Sequence, residues 1–419
     1  MSDSPQGEWE LTTQHKHILR ESALDENTPG TILHDFKALM EYLRAEPLTL
    51  TNKQRQLPLR SLPEINARLA HPIQLGLKRP VQKSYPHVNG LYLLVRASGL
   101  TYVDETVTKP VLLIDPMVDQ VWTSLNPSER YGNLLETWLL RGKPEIIGDS
   151  RSTFSISRNF RKWKYLHDSI PYGGMQIAGD RDAEASLAYA PEWHNLGLLD
   201  LFGLIHVQRG VPEEGNGWRI ERVHRTPFGD ALYALLYAQF LGGYDRIQQM
   251  EAEVQEEGRF GSLQPVLQPY WPTWERNLSI PPWVFREGTH IFKVALGSVW
   301  WRIAISARSN LETLSNAILN IIEFTHDHLY QFTYQNRFGA VDAVFHPYMD
   351  EKPSAAQVSI GDLPLQVGQM MYYTYDFGDW WEFDVTLERV DDEMQIEAPV
   401  VIESHGEPPE QYPRADDWY

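Results

Sequence analysis

The chain has 419 residues, 42% of them hydrophobic and 12% aromatic, which makes it globular and long enough for more than one core. It contains no cysteine, so disulfides, cysteine-based zinc sites, iron–sulfur clusters and thiol nucleophiles are excluded together. The formal charge of −19 is unevenly spread: Ala340–Tyr419 holds 18 Asp/Glu against 3 Lys/Arg, whereas residues 52–83 hold seven cations against Glu64 alone.

Those seven are Lys53, Arg55, Arg60, Arg68, Lys78, Arg79 and Lys83. An acidic field repels nucleic acid, although a local basic face can still bind it. The start "MSDSPQGEWELTTQHK" lacks the basic and then apolar pattern of a secretory signal, and no stretch reaches the roughly 18 apolar residues that span a bilayer. A soluble, cytoplasmic protein without a membrane partner is expected.

Residues 1–45 read as an N-terminal helical segment. In "LHDFKALMEYLRAE", Leu33, Phe36, Leu39, Met40 and Leu43 share one helical face. Residues 46–145 read as a winged-helix-like unit: a helix ending near Gly99, two strands "TYVDE" and "PVLLID", then a helix capped by Asn126 with Pro127 at its first position. Residues 146–250 repeat the plan. Helical "DAEASLAYAPEWHNLGLLDLFGLI" leads to strands around Gly215-Asn216-Gly217, a strong hairpin signal, and then to a helix capped by Thr226. Residues 251–286, rich in proline and aromatics, read as a connection held down by its tryptophans.

Residues 287–412 read as an α+β domain. Two strands in "HIFKVALGSVWWRIAIS" precede a helix whose Ser309 and Glu312 form a capping box, with Leu311, Leu314, Ile318 and Ile321 inward. Strands follow at "HLYQFTY", "MMYYTYDF" and "WEFDVTLERV". The whole chain is thus expected to be multidomain α+β, with winged-helix-like N-terminal units followed by an α+β sandwich.

Two stretches carry candidate chemistry. "YDFGDWWEF" contains Asp376-Phe377-Gly378, the metal-binding triplet of protein kinases, but no His-Arg-Asp loop precedes it and only 41 residues follow. Two readings remain. In one, Asp376 and Asp379 bond turn amides while Tyr375, Phe377, Trp381 and Phe383 face a core. In the other, His326, His328, His346, Asp376 and Asp379 supply a divalent metal site, with His328, Asp376 and Asp379 as catalytic candidates. The first is favoured, because no strong metal-ligand spacing is present. The second stretch, "RSTFSISRNFRKWKY", interleaves Arg151, Arg158, Arg161, Lys162 and Lys164 with Phe160, Trp163 and Tyr165. Together with Lys53, Arg55, Lys78 and Arg79 it is the candidate nucleic-acid surface, against the alternative of a basic helix or strand whose aromatics face a core. There is no nucleophile elbow, Walker loop or dinucleotide fingerprint.

Trp301-Arg302, "HLYQF" from His328, the "YDFGDWWE" block and Pro408-Pro409-Glu410 make residues 290–411 resemble the plasmid open-reading-frame-three-like family, known from Ri-type plasmids and insertion elements. The resemblance implies an α+β fold and supplies no activity. The sequence departs from the family pattern at Leu314-Ser315, where relatives commonly have Leu-His, at Phe383, where they commonly have His, and after Glu410, where "QYPRADDWY" replaces a cysteine–glycine segment. More loosely, the N-terminal half is similar to accessory winged-helix domains of helicase-like proteins. The expectation is a non-enzymatic binding protein contacting nucleic acid or protein, with no cofactor and an association with mobile elements. The alternatives are a metal-dependent hydrolase or nuclease and a purely protein-interacting scaffold.

Overall fold

The structure, a computed structural model, describes residues 11–52, 54–105, 108–148, 157–240 and 259–412. Lys53 and Arg151 lie outside the described residues, as does the side chain of Arg158. The chain is mixed α/β and divides into two compact units, Met1–Tyr102 with Val111–Pro281, and Val103–Pro110 with Pro282–Tyr419.

In chain order the elements begin with α1 (Thr13–Glu21), α2 (Ile32–Ala45), β1 (Leu48–Thr49), α3 (Ser61–Arg68), α4 (Pro86–Ala97), β2 (Thr101–Asp104, of which Thr101 and Tyr102 fall in the first unit) and β3 (Val111–Ile114). The strands form a three-stranded sheet in the order β1-β3-β2. After α5 (Pro116–Ser124) and α6 (Pro127–Glu136), which runs on into one π turn at Thr137–Arg141, the same order of elements returns. It consists of α7 (Ser157–Ser169), β4 (Met175–Gln176), α8 (Arg181–Tyr189), α9 (Trp193–Leu201), β5 (Ile205–Arg209) and β6 (Ile220–Arg225), with the sheet order β4-β6-β5. α10 (Pro227–Phe240) and the short α11 (Gln264–Leu267) complete the unit.

Local chemistry explains most of these boundaries. Asn126 accepts from Glu129 N–H at 3.0 Å while the Glu129 carboxylate takes Asn126 N–H at 2.8 Å, a reciprocal cap at the start of α6. Thr226 caps α10 through Gly229 N–H at 2.9 Å. The sequence reads one helix across residues 182–205, but Pro191 lacks the N–H needed to continue it, so α8 and α9 are separate. Nor is Gly215-Asn216-Gly217 a tight hairpin turn. The loop is longer because Gly215 N–H bonds the Gly76 carbonyl at 2.9 Å and Gly76 N–H bonds the Asn216 carbonyl at 3.0 Å.

Every residue of α4 is buried, and so are seven of the nine residues of α9. The two helices pack along each other. Such close approach needs small residues at the crossing, and Gly90 and Gly197 stand there.

The second unit is a seven-stranded antiparallel sheet, β7 (Thr289–Leu296), β8 (Val299–Ser306), β9 (Tyr330–Gln335), β10 (Val341–Phe345), β11 (Met370–Tyr375), β12 (Trp381–Asp391) and β13 (Val400–His405), in the order β10-β9-β11-β12-β7-β8-β13. α12 (Leu311–Ile322) buries Leu311, Leu314, Ile318, Leu319 and Ile322 in one core with Phe292, Phe332, Tyr373 and Phe383 from the sheet. Asn310, one residue after the expected Ser309, caps α12 by accepting from Thr313 N–H at 2.9 Å. Alternate residues such as Lys293, Arg302, Asp384 and Glu382 lie outside that core, the period-two pattern of a sheet covered on one face.

Candidate functional site

The Asp-Phe-Gly stretch forms a turn between β11 and β12. Tyr375 pairs with Trp381 at the end of the ladder, and residues 377–380 reverse the chain. Asp376 has φ 56°, a conformation that Asn and Asp tolerate better than most side chains. Its Oδ1 accepts from Gly378 N–H at 2.9 Å, and its own N–H donates to the Leu329 carbonyl at 3.0 Å. Tyr375 and Phe383 are fully buried, Phe377 is half-buried, and Trp381 packs at the margin of the core.

His328 meets this turn from the loop before β9. Its Nδ1 lies 3.4 Å from Asp376 Oδ2, and its Nε2 lies 2.9 Å from the Tyr412 hydroxyl. The remaining metal candidates go elsewhere. His326 sits between the side-chain oxygens of Asn316 and Asn320 on α12, at 3.2 and 3.1 Å. His346 packs edge-on against Tyr330 and accepts from Tyr348 N–H at 3.1 Å; burial lowers its pKa and so favours the neutral ring. Asp379 is exposed. β9 begins only at Tyr330, so neither His326 nor His328 has a strand to set its direction. Among the described residues, no group of three or more His, Asp or Glu side chains is placed to hold a metal ion.

The basic stretch is helical. On α7, Phe160 and Trp163 enter the core against Tyr233, and only Tyr165 remains exposed, at 53%. Lys162 is buried and paired with Glu192, and Lys164 pairs with Asp168 one turn on. Lys78 lies 3.6 Å from Glu214, and Arg55 lends its carbonyl to the Tyr92 hydroxyl. Arg79 and Arg161 are exposed.

What sequence reasoning did not find is a cleft of about 660 Å³ beside α7. Four separate segments line it: Lys83 and Asn89, Pro144 and Ile147, Arg161, Lys162 and Tyr165, and residues 188–190 with 192–194. No local pattern announces such a site, because folding alone brings these segments together. A second feature was hidden in α6, where Asn126, Glu129, Asn133 and Glu136 hold the 261–278 segment. Gly261 and Leu263 donate N–H groups to Glu136 at 2.9 and 3.0 Å, Arg276 N–H to Glu129 at 2.8 Å and Leu278 N–H to Asn133 at 2.9 Å, while Asn126 donates to the Thr273 carbonyl at 2.8 Å. Burial raises the Glu136 pKa, opposed by these amides and by Arg141.

Residues 292–413 match the family model described as plasmid pRiA4b ORF-3-like protein. Over 112 residues the chain is 30% identical to the uncharacterized protein y4hQ of Sinorhizobium fredii, covering 26% of this chain and 56% of that protein. The chain therefore spans about half the length of this curated relative. A crystal structure of a protein of unknown function, MM3350 from Methanosarcina mazei Go1, is similar at 23% identity and a TM-score of 0.27, covering 29% of this chain and 72% of that one. Among the described residues no helix is long and apolar enough to cross a membrane. With the "YDFGDWWE" turn joining β11 to β12 within the matched span, the C-terminal part of the chain, residues 292–413, is similar to the plasmid pRiA4b ORF-3-like proteins.

Proposed function

We propose that the chain is a non-enzymatic binding protein in which residues 32–114 and 157–225 form two winged-helix modules, locked together as a protein-interaction scaffold. Supporting the module reading, each segment runs helix–strand–helix–helix–strand–strand, with the last strand central in a three-stranded sheet. One observation carries the functional reading: the third helices of the two segments, α4 and α9, bury themselves against each other. In groove-reading helix-turn-helix proteins the recognition helix enters the major groove. Here it is covered.

The charge distribution supports the same reading. Arg219 and Arg225 on the second hairpin are bound to Glu184 and Asp230, and Arg209 donates to the carbonyls of His71 and Pro72. A net charge of −19 opposes binding to a polyanionic duplex. The hydrolase reading rests on the His328–Asp376 pair alone.

Fluorescence anisotropy with duplex DNA at low and moderate salt tests the proposal. No groove-type binding is expected; a duplex bound with a steep salt dependence and released by substitutions on α4 or α9 would overturn it. The scaffold reading also expects a protein that copurifies with the full chain to re-form a stoichiometric complex from purified components. Failure of every copurifying protein to do so counts against it.

A further inference from the structure

The cleft beside α7 differs in charge from the rest of the molecule. Its lining holds Lys83, Arg161 and Lys162 against one carboxylate, Glu192, in a chain of net charge −19. A concave surface with this balance is a local positive well, and such wells concentrate anions. Lys162 and Glu192 form an ion pair in the wall, and Glu192 holds φ 76° at the start of α9. Arg161 and Lys83 are exposed at the cleft.

Aromatic rings complete the lining. Tyr165 is 53% exposed and Tyr189 82% exposed, and Trp193 is half-buried with its ring edge-on to Trp218. An exposed tyrosine of this kind gives up solvent readily when a flat ring stacks on it, and base–aromatic stacking contributes about 1–3 kcal/mol per base. The volume, 660 Å³, falls within the roughly 300–1,000 Å³ range of small-ligand sites. That volume suits a single nucleotide.

The geometry points to a binding site for a nucleoside phosphate, free or as one unit of a single strand, with the phosphate on Arg161 and Lys83 and the base against Tyr165 and Tyr189. The planar guanidinium suits bidentate phosphate recognition, and Lys83 adds a second positive charge at the cleft. The site borders the α4–α9 contact through Asn89, Trp193 and His194, but its recognition groups lie outside that contact and do not depend on the scaffold proposal.

Calorimetric titration of the full chain with ADP, with a single-stranded deoxyoligonucleotide of about six residues, and with inorganic phosphate tests this. Saturable binding of ADP or the oligonucleotide is expected, weaker for phosphate alone. Tighter binding of ADP assigns the site to free nucleotides; tighter binding of the oligonucleotide assigns it to strands. Arg161→Ala with Lys83→Ala should weaken binding at least about tenfold, and Tyr189→Ala with Tyr165→Ala by a similar factor, each with unchanged urea midpoint. No heat with any probe at low salt overturns the proposal, as do full affinity in the cation variant and phosphate binding as tight as ADP.

Discussion

Gly197 of α9 faces the first turn of α4 so closely that a Cβ there would lie 2.9 Å from the carbonyl carbon of Pro86 and 3.0 Å from the amide nitrogen of His87. Gly90 of α4 is its counterpart, where a Cβ would meet Leu198 Cγ at 2.7 Å. Alanine at a helical position otherwise favours the helix by about 1 kcal/mol over glycine. Overpacking against backbone costs about 1–3 kcal/mol and has no rotamer by which to relax. Gly197→Ala should therefore lower the urea midpoint of the first unit, a net loss of up to about 2 kcal/mol with unchanged m-value. Gly90→Ala meets chiefly the Leu198 side chain, which can move, with the His194 carbonyl oxygen at 3.1 Å, so it should be milder. A Gly197→Ala variant as stable as the parent would mean that the two helices do not meet as described.

Glu136 anchors the segment after residue 259 to α6. It is fully buried, and its carboxylate accepts from Gly261 and Leu263. Hydrogen bonds to a charged group contribute about 1.5–3 kcal/mol each, and here removal also strands two amides. Glu136→Ala is expected to cost about 2–4 kcal/mol and to raise amide exchange at Gly261 and Leu263 before the rest of the unit opens. Glu136→Gln keeps one acceptor and should lose less. Unchanged exchange in the alanine variant would show that the tryptophans hold the segment unaided.

The turn at Asp376 separates a structural role from a catalytic one. Asparagine tolerates φ 56° and retains the oxygen that accepts from Gly378 N–H, so Asp376→Asn should stay within about 1 kcal/mol of the parent. Asp376→Ala loses both advantages and should cost about 1–3 kcal/mol. Chemical denaturation of the two variants gives the comparison. Equal losses would argue that charge, through His328, matters more than turn geometry.

That turn shows what was legible in the sequence. Alternation in "YDFGDWWEF" placed Tyr375 and Phe383 inside and the bend at Gly378, because strand period and glycine act locally. The helix starts at Asn126 and Thr226 were legible for the same reason. The interleaved aromatics of α7 were harder, since Phe160, Trp163 and Tyr165 look alike until helical spacing sends the first two inward. Tertiary features left no mark: the Glu129, Asn133 and Glu136 stripe reads as a solvated face until residues 261–278 lie over it. The cleft beside α7 needs segments up to about a hundred residues apart, and no periodicity reports such a meeting.

His290 on β7 gives the second unit a pH dependence of known sign. The ring is buried, and burial, with Arg286 as a lesser cause, lowers its pKa from 6.5 to about 4. Below pH 6.5 the unfolded chain therefore binds a proton that the folded chain refuses. Stability is full above pH 6.5 and falls as the pH drops toward 4, by at most about 3 kcal/mol from this group. His346, also lowered, contributes with the same sign. His290→Gln should flatten the slope of urea midpoint against pH between 6.5 and 4 without abolishing it. An unaltered slope would place the titration elsewhere.

Ser315 and Phe383 are two of the three places where the sequence departs from the pattern of the family it resembles, and both touch Tyr373. The Ser315 and Tyr373 hydroxyls are 2.7 Å apart, and the Phe383 ring lies 5.7 Å from that of Tyr373. All three residues are fully buried. These two departures thus meet at one point in the sheet's covered face, where this chain packs an aromatic ring at the position for which the resemblance leads one to expect an ionisable one. Phe383→His puts a polar ring where Phe383 has an apolar neighbourhood, which should cost about 2–4 kcal/mol at pH 7.5. The loss should grow at pH 5.5, because the unfolded imidazole takes up a proton that the dry core resists. Denaturation at both pH values decides it. A variant equally stable at the two would mean that the face around Tyr373 admits water and charge.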